Sequence, residues 1–295
     1  MVIKDLKDVN SFANESDLLA ADDEYLRRLN AVKETIIRNS SVSPVILLSG
    51  PSGSGKTTTA RMIEKLLDDE GFETHVVSLD DYFKTVTESE RGTVDFESPT
   101  RVDGELLTEH IERLIEGKEI EIPSFDFVNT RRSDKVRKLK RAENELVIFE
   151  GIHALNPSVV ACGDEKTLKL YVSVRSRVKY GDGLFEPQYI RLLRRISRDK
   201  LFRGRTAEET IAYFASVSAG EQKYVFPYKR RADISIDSFV PYEAGVYKTT
   251  VGDEVKSLAD KSQTADVLWK FLKNVEGISK DLVPAYSLVR EFIGE

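Results

Sequence analysis

Between the apolar run Val45-Ile46-Leu47-Leu48-Ser49 and a helix-like segment stands Gly50-Pro51-Ser52-Gly53-Ser54-Gly55-Lys56-Thr57, a full match to G-x-x-x-x-G-K-[ST]. The glycines let backbone N–H groups turn inward around phosphate oxygens. The N-terminus of the following helix adds a favourable dipole. Lys56 is the residue that reaches β- and γ-phosphates, and the Thr57 hydroxyl is the Mg²⁺ ligand. With glycine at about 7% of residues, a chain of this length matches by chance roughly one time in a hundred. The competing reading, a glycine-rich turn with a surface lysine, leaves the strand before and the helix after unexplained.

The rest of the chain fits the same architecture. An uninterrupted apolar run is how a strand buried on both faces reads. Further strands are expected at 75–79, 146–149, 168–174 and 234–236. Helices are expected from Ala60 to near Gly71, over 103–117 and over 187–202, with another starting at Thr206, where Thr206 and Glu209 form a capping box. Strands alternating with helices predict an α/β fold of P-loop NTPase type, with a mainly parallel sheet flanked by helices. Residues 1–42, with Leu18, Leu19, Tyr25, Leu26, Leu29, Val32 and Ile36 at roughly helical spacing, read as an N-terminal helical extension. Residues 43–240 read as the phosphotransferase domain, and 241–295, with Trp269, as a C-terminal helical extension.

Composition narrows the function classes. A net charge of −6 argues against wrapping nucleic acid, which needs a basic surface. Cys162 is the single cysteine, and His75, His110 and His153 have no zinc-site spacing. The start lacks a signal peptide pattern, and no apolar run has bilayer length. The expectation is a cytoplasmic protein with a small-molecule partner, no nucleic-acid or membrane partner, and room for a homo-oligomer.

Two acidic points and one basic stripe are the other candidates. Glu150 ends the apolar strand Leu146–Phe149, where P-loop proteins place an acid beside the metal. Asp80 and Asp81 follow another strand, at the edge where ligands bind in open α/β sheets. A carboxylate there suits a general base or a helix cap, and two adjacent acids do not decide between them. Arg191, Arg194, Arg195 and Arg198 share one helix face, followed by Arg203-Gly204-Arg205. Like charges at this spacing repel. The pattern predicts a lid at about 185–206 that closes arginines onto the phosphates of ATP.

Taken in order, several blocks between Pro44 and Ser238 resemble the uridine kinase and phosphoribulokinase group of P-loop kinases, and uridine–cytidine kinases most of all. They are the P-loop, Ser78–Phe83, Asp95–Pro99, Ile122–Phe127, Phe149–Ile152, Arg194–Asp199 with Arg203–Arg205, and Pro227–Asp233. The resemblance implies ATP and Mg²⁺ as cofactors, with Gly50, Ser52, Gly53, Ser54, Gly55, Lys56, Thr57 and Thr58 around the phosphates, and Thr57 and Glu150 at the metal. It makes Asp80 the catalytic base and places Arg195, Arg198, Arg203 and Arg205 as the phosphate clamp. Glu97 matches a ribose-binding aspartate, and Phe83, Phe96, Phe125 and Phe127 match the wall around the nucleoside. Phe125 and Thr130 depart from the family's tyrosine and histidine, which read the pyrimidine edge. The stretch Pro284–Gly294 resembles the tail of a bacterial subgroup of uridine kinase-like proteins.

The expected reaction is therefore phosphoryl transfer from ATP to a hydroxyl, on a nucleoside-type acceptor at the ribose 5′ position. Pantothenate, glycerate or a sugar phosphate are the alternatives, and Lys84, Arg91, Arg101, Arg131 and Arg132 are the basic residues a sugar phosphate would use. An NTPase switch is disfavoured, since it leaves Asp80 and the aromatic blocks without a role.

Overall fold

A computed structural model describes residues 2–90 and 94–294. Arg91 lies outside the described residues. In chain order come β1 (Ile3–Asp5), α1 (Leu6–Val9), α2 (Glu15–Asn39), β2 (Val45–Ser49), α3 (Lys56–Asp68), β3 (Thr74–Ser78) and α4 (Gly104–Ile115). Four short strands follow, β4 (Glu119–Ile122), β5 (Phe125–Asp126), β6 (Arg131–Arg132) and β7 (Arg137–Lys140), then β8 (Leu146–Glu150) and β9 (Thr167–Ser173). The last part holds β10 (Arg177–Tyr180), β11 (Gly183–Phe185), α5 (Pro187–Phe202), α6 (Ala207–Tyr224), β12 (Ile234–Asp237), α7 (Glu243–Leu258), α8 (Gln263–Leu272) and α9 (Arg290–Ile293).

Five strands form the central sheet in the order β12-β9-β2-β8-β3, all parallel. The continuous apolar runs place them there, because both sheet faces are covered. Ile46, Leu48, Ile148 and Leu170 point to one face and Val45, Leu47, Phe149 and Tyr171 to the other, so alternate residues feed two separate cores. The first core holds α2, α3, α5, α7 and α8; the second holds α4 and the segment after β8. From β2 the chain runs outward to β3 and returns to the other side at β9, which makes the carboxyl end of β2 a topological switch point.

The two ends of the chain add more than helices. β1 pairs in parallel with β10, which pairs with β11, so the N-terminal segment also contributes a strand. Three residues are too few to show a period, which is why the helical reading of 1–42 omitted it. Likewise β4 pairs with β7 and β5 with β6, in a region where no element was expected.

Helix α2 is capped by Asn14, which accepts from the Asp17 N–H, and buries Leu18, Tyr25, Leu29, Val32 and Ile36. It reaches the P-loop directly: Tyr25 Oη and Thr59 Oγ1 are 2.7 Å apart, and Thr59 donates to the Gly55 carbonyl. Asp22 joins both ends of the chain, accepting from Tyr242 (2.6 Å) and Ser287 (2.8 Å) inside the core. Residues 1–42 and 241–295 thus share one packed core with the sheet, with no seam at either boundary.

Candidate active site

The P-loop conformation is dictated by its glycines. Gly53 and Gly55 adopt φ of +71° and +84°, where L-residues are strained. A Cβ on Gly50 would lie 2.0 Å from the Val172 carbonyl oxygen, so no other residue fits there. Helix α3 starts at Lys56, whose ammonium reaches back toward the Pro51 carbonyl. Thr57 Oγ1 donates to Glu150 Oε1 at 3.1 Å, and Ser78 Oγ donates to the same oxygen at 3.3 Å. Burial pushes the Glu150 carboxyl up against the opposing pull of Lys56. Thr57 and Glu150 present hard oxygen donors side by side, which suits a magnesium ion.

The turn after β3 carries Asp80. Ser78 Oγ accepts from the Asp80 N–H, so the hydroxyl performs the capping and the Asp80 carboxylate is left free for chemistry. Surrounding protein raises its pKa, with Lys56 and Arg203 opposing the rise. Burial raises the Asp81 carboxyl as well, with Asp80 adding to the rise and Arg137 opposing it. Lys56 is among the charges acting on Asp80, and Arg137 among those acting on Asp81.

Beyond Asp80 lies an aromatic cluster. Phe83 contacts Phe96 (6.2 Å between ring centroids), Phe125 (5.6 Å) and Phe127 (5.8 Å), and Phe125 meets Phe127 edge-on at 4.9 Å. Phe127 is half exposed and caps the open side. Thr130 sits in the β5–β6 connection at φ +51°, a strained conformation for a β-branched residue. Its carbonyl accepts from the Val86 N–H. Glu97 closes the other end. Burial and Glu221 push its carboxyl up to about 7 against Arg195 and Lys56. Gly220 makes room for it, since a Cβ there would meet Glu97 Cβ at 2.7 Å.

The arginine stripe on α5 is divided between two sets of partners. Arg191 makes a bidentate pair with Glu221, both bonds at 2.8 Å, and donates to the Ser52 carbonyl. Arg194 is fully buried, bonded to Glu243 at 2.6 and 2.9 Å, to the Ser238 carbonyl and to that of Gly53. These two bolt the helix to the P-loop, α6 and α7. The mutual repulsion expected of the stripe is relieved by carboxylates from distant sequence. Arg195 donates to Ser52 Oγ, and the Nε atoms of Arg195 and Arg198 are buried without a hydrogen-bond partner. Asp199 gathers Arg198 (3.6 Å), Arg203 (3.2 Å) and Arg205 (3.9 Å). Burial, with Arg203 and Arg195 nearby, pushes the Arg198 guanidinium down to about 10. A crowded set of cations with spare donors fits an anion as highly charged as a triphosphate.

Lys56 thus acts on Glu150, Asp80 and Glu97, Arg203 acts on Asp80 and Arg195 on Glu97, while the four phenylalanines pack on one another. Of the basic residues suited to a sugar phosphate, Arg101 is held by Glu90 (3.0 Å) and the Lys84 carbonyl. Arg132 is held by Asp103 (2.9 Å) and the carbonyls of Tyr82 and Phe83. Sequence reasoning missed His153, Glu221, Glu243 and Glu291. Only His153 had a signal, its place directly after Glu150-Gly151-Ile152.

Comparison with known proteins identifies the family and the fold. Residues 45–243 match the model of the Phosphoribulokinase / Uridine kinase family. A uridine kinase of Macrococcus caseolyticus is 34% identical over 200 residues, covering 66% of this chain and 88% of that protein. A uridine kinase of Halobacterium salinarum is 32% identical over 194 residues, covering 64% and 77%. Among solved structures, that of the YGR205w protein superposes with a TM-score of 0.51 at 18% identity over 73% of this chain and 92% of that one, a likeness of fold.

Proposed function

Because this chain belongs to the Phosphoribulokinase / Uridine kinase family of ATP-dependent kinases, which transfer phosphate to a hydroxyl, we propose that its acceptor is an uncharged polyhydroxylated molecule of nucleoside type. The observation that carries this reading concerns Asp80: Lys56 is close enough to lower its pKa, and the turn that carries it ends at Phe83, a member of the aromatic cluster. In this reading the P-loop N–H groups and Lys56 hold the β- and γ-phosphates. Thr57 and Glu150 hold Mg²⁺, which supplies neutralisation of charge on the phosphate oxygens. Asp80 takes the proton of the acceptor hydroxyl as its oxygen bonds to the γ-phosphorus and the bond to ADP breaks. Arg195, Arg198, Arg203 and Arg205 stabilise the charge on the transferring group. Glu97 accepts hydroxyls at the ribose end. Catalytic groups lie within residues 43–240, and the segments before and after brace them.

Two features favour a nucleoside over a sugar phosphate. Arg101, which is buried, and Arg132, which is partly buried, are spent on internal partners. The phenylalanine cluster offers flat faces to a base. With Phe125 and Thr130 in place of a tyrosine and a histidine, base recognition rests on stacking. Each missing hydrogen bond costs on the order of 1 kcal/mol. An ADP-release screen over nucleosides, free ribose, sugar phosphates, glycerate and pantothenate tests the reading. Turnover of several nucleosides within about a hundredfold in kcat/KM, some 2.7 kcal/mol, is expected. Exclusive use of a sugar phosphate, glycerate or pantothenate overturns the acceptor assignment, and a larger preference for uridine overturns the stacking account.

A further inference from the structure

Three buried polar atoms have no hydrogen-bond partner, Glu97 Oε2 and both ring nitrogens of His153, and the Glu97 backbone lies beside the ring. His153 is 1% exposed and is held by a tight turn in which the Asn156 N–H donates to its carbonyl at 2.9 Å. Tyr224 approaches the ring edge-on at 6.5 Å. The Glu97 backbone, Asp95 and Lys56 lie near enough to act on the ring, the Glu97 contact falling short of hydrogen-bond geometry. Buried polar atoms are rarely left unsatisfied, so the pair points to a ligand. Resting on the acceptor reading above, we propose that His153 binds the acceptor and, with Glu97, holds a pair of neighbouring hydroxyls at its non-reacting end. Burial pushes the imidazole down to about 4, so at neutral pH the ring offers one donor and one acceptor. A diol presents the matching set, while Glu97 takes the second hydroxyl proton. The test compares His153→Leu and His153→Gln on a phosphorylated nucleoside and on its deoxy analogue lacking one hydroxyl of the diol. His153→Leu should raise KM for the diol at least tenfold with a smaller effect on kcat, His153→Gln should restore part of the loss, and the deoxy analogue should be nearly blind to both changes. In the unsubstituted protein, adding the acceptor should shift the imidazole ¹⁵N resonances of His153. Equal losses on both acceptors, or unmoved resonances, overturn the assignment. If the unsubstituted protein phosphorylates no polyhydroxylated acceptor, the acceptor reading itself falls and takes this inference with it.

A different observation supports a second inference. Glu291, in the tail after α8, accepts from Thr58 Oγ1 at 2.6 Å and from the Thr58 N–H at 3.4 Å. Thr58 is the third residue of α3, where first-turn N–H groups lack helical partners and the dipole favours an anion. The neighbouring Leu288 side chain lies against Gly55 so closely that a Cβ there would be 2.7 Å from it. We infer that Glu291 occupies a phosphate seat of the P-loop, and that ATP must displace it to bind. Calorimetric titration with ADP tests this. Glu291→Gln should bind ADP at least about fivefold more tightly than the unsubstituted protein, and amide exchange over residues 286–294 should rise when ADP saturates the unsubstituted chain. Unchanged or weaker ADP binding by Glu291→Gln, or rising protection of the tail, overturns it.

Discussion

Asp80 and Asp81 differ by one position in the chain and by their whole electrostatic surroundings. Asp80→Asn should lose at least about a hundredfold in kcat, the usual scale for a general base, with ADP affinity little changed. Asp81→Asn should stay within a few-fold of the unsubstituted protein, and single-turnover assays on both decide which acid is the base. Lys56→Ala should abolish transfer while circular dichroism shows an intact fold, because the lysine offsets charge only on the transferring group. Glu97 adds a pH dependence. Burial and Glu221 raise its pKa to about 7, and it accepts hydroxyl protons only as the carboxylate. Acceptor kcat/KM should therefore fall as pH drops through 7, and Glu97→Gln should lower the plateau and remove that inflection. Both aspartates and Glu97 were visible in the sequence as acids beside strand ends or aromatic blocks. Their different environments were not, because Lys56, Arg137, Arg195 and Glu221 come from other elements.

Helix α5 was delimited from the sequence at its ends, since apolar spacing and Pro187 at its start are local signals. Its function divides along its length instead. The first half is anchored through Arg191 and Arg194, whereas Arg203 and Arg205 beyond its end keep nearly half their side-chain surface exposed. Amide exchange with a non-hydrolysable ATP analogue should slow over 203–206 and stay unchanged over the first three turns of α5. Strong slowing along the whole helix would restore a moving helix. Removing one partner of a buried pair leaves a bare charge, so Arg194→Met should destabilise by about 3–5 kcal/mol in urea unfolding. Arg203→Met should leave unfolding almost unaltered and lower kcat.

For the molecule as a whole, Asp22 is the point where the two ends of the chain meet inside the core. Burial pushes its pKa up to about 6, from an ordinary 3.8, despite the bonds from Tyr242 and Ser287. A folded pKa above the unfolded one means that its stabilising contribution is complete below about 3.8 and is lost as pH rises through 6. The melting temperature of Asp22→Asn, measured relative to the unsubstituted protein from pH 4.5 to 7.5, should climb by several degrees across that window. A constant difference would show that Asp22 ionises at no cost to the fold.

What the sequence alone determined was everything written in contiguous residues. The P-loop ring, the buried strand runs, the Thr206 capping box and the α/β order each need only neighbours along the chain, and each fixes local backbone geometry through glycine φ, side-chain period or a cap. Tertiary structure decided which charges are neutralised and which are left for a ligand. Arg194 meets Glu243 across 49 residues, Thr58 meets Glu291 across 233, and β1 finds β10 near residue 177. No local period marks such pairs, because their energy comes from shared burial, and burial exists only once the sheet and its two cores have assembled.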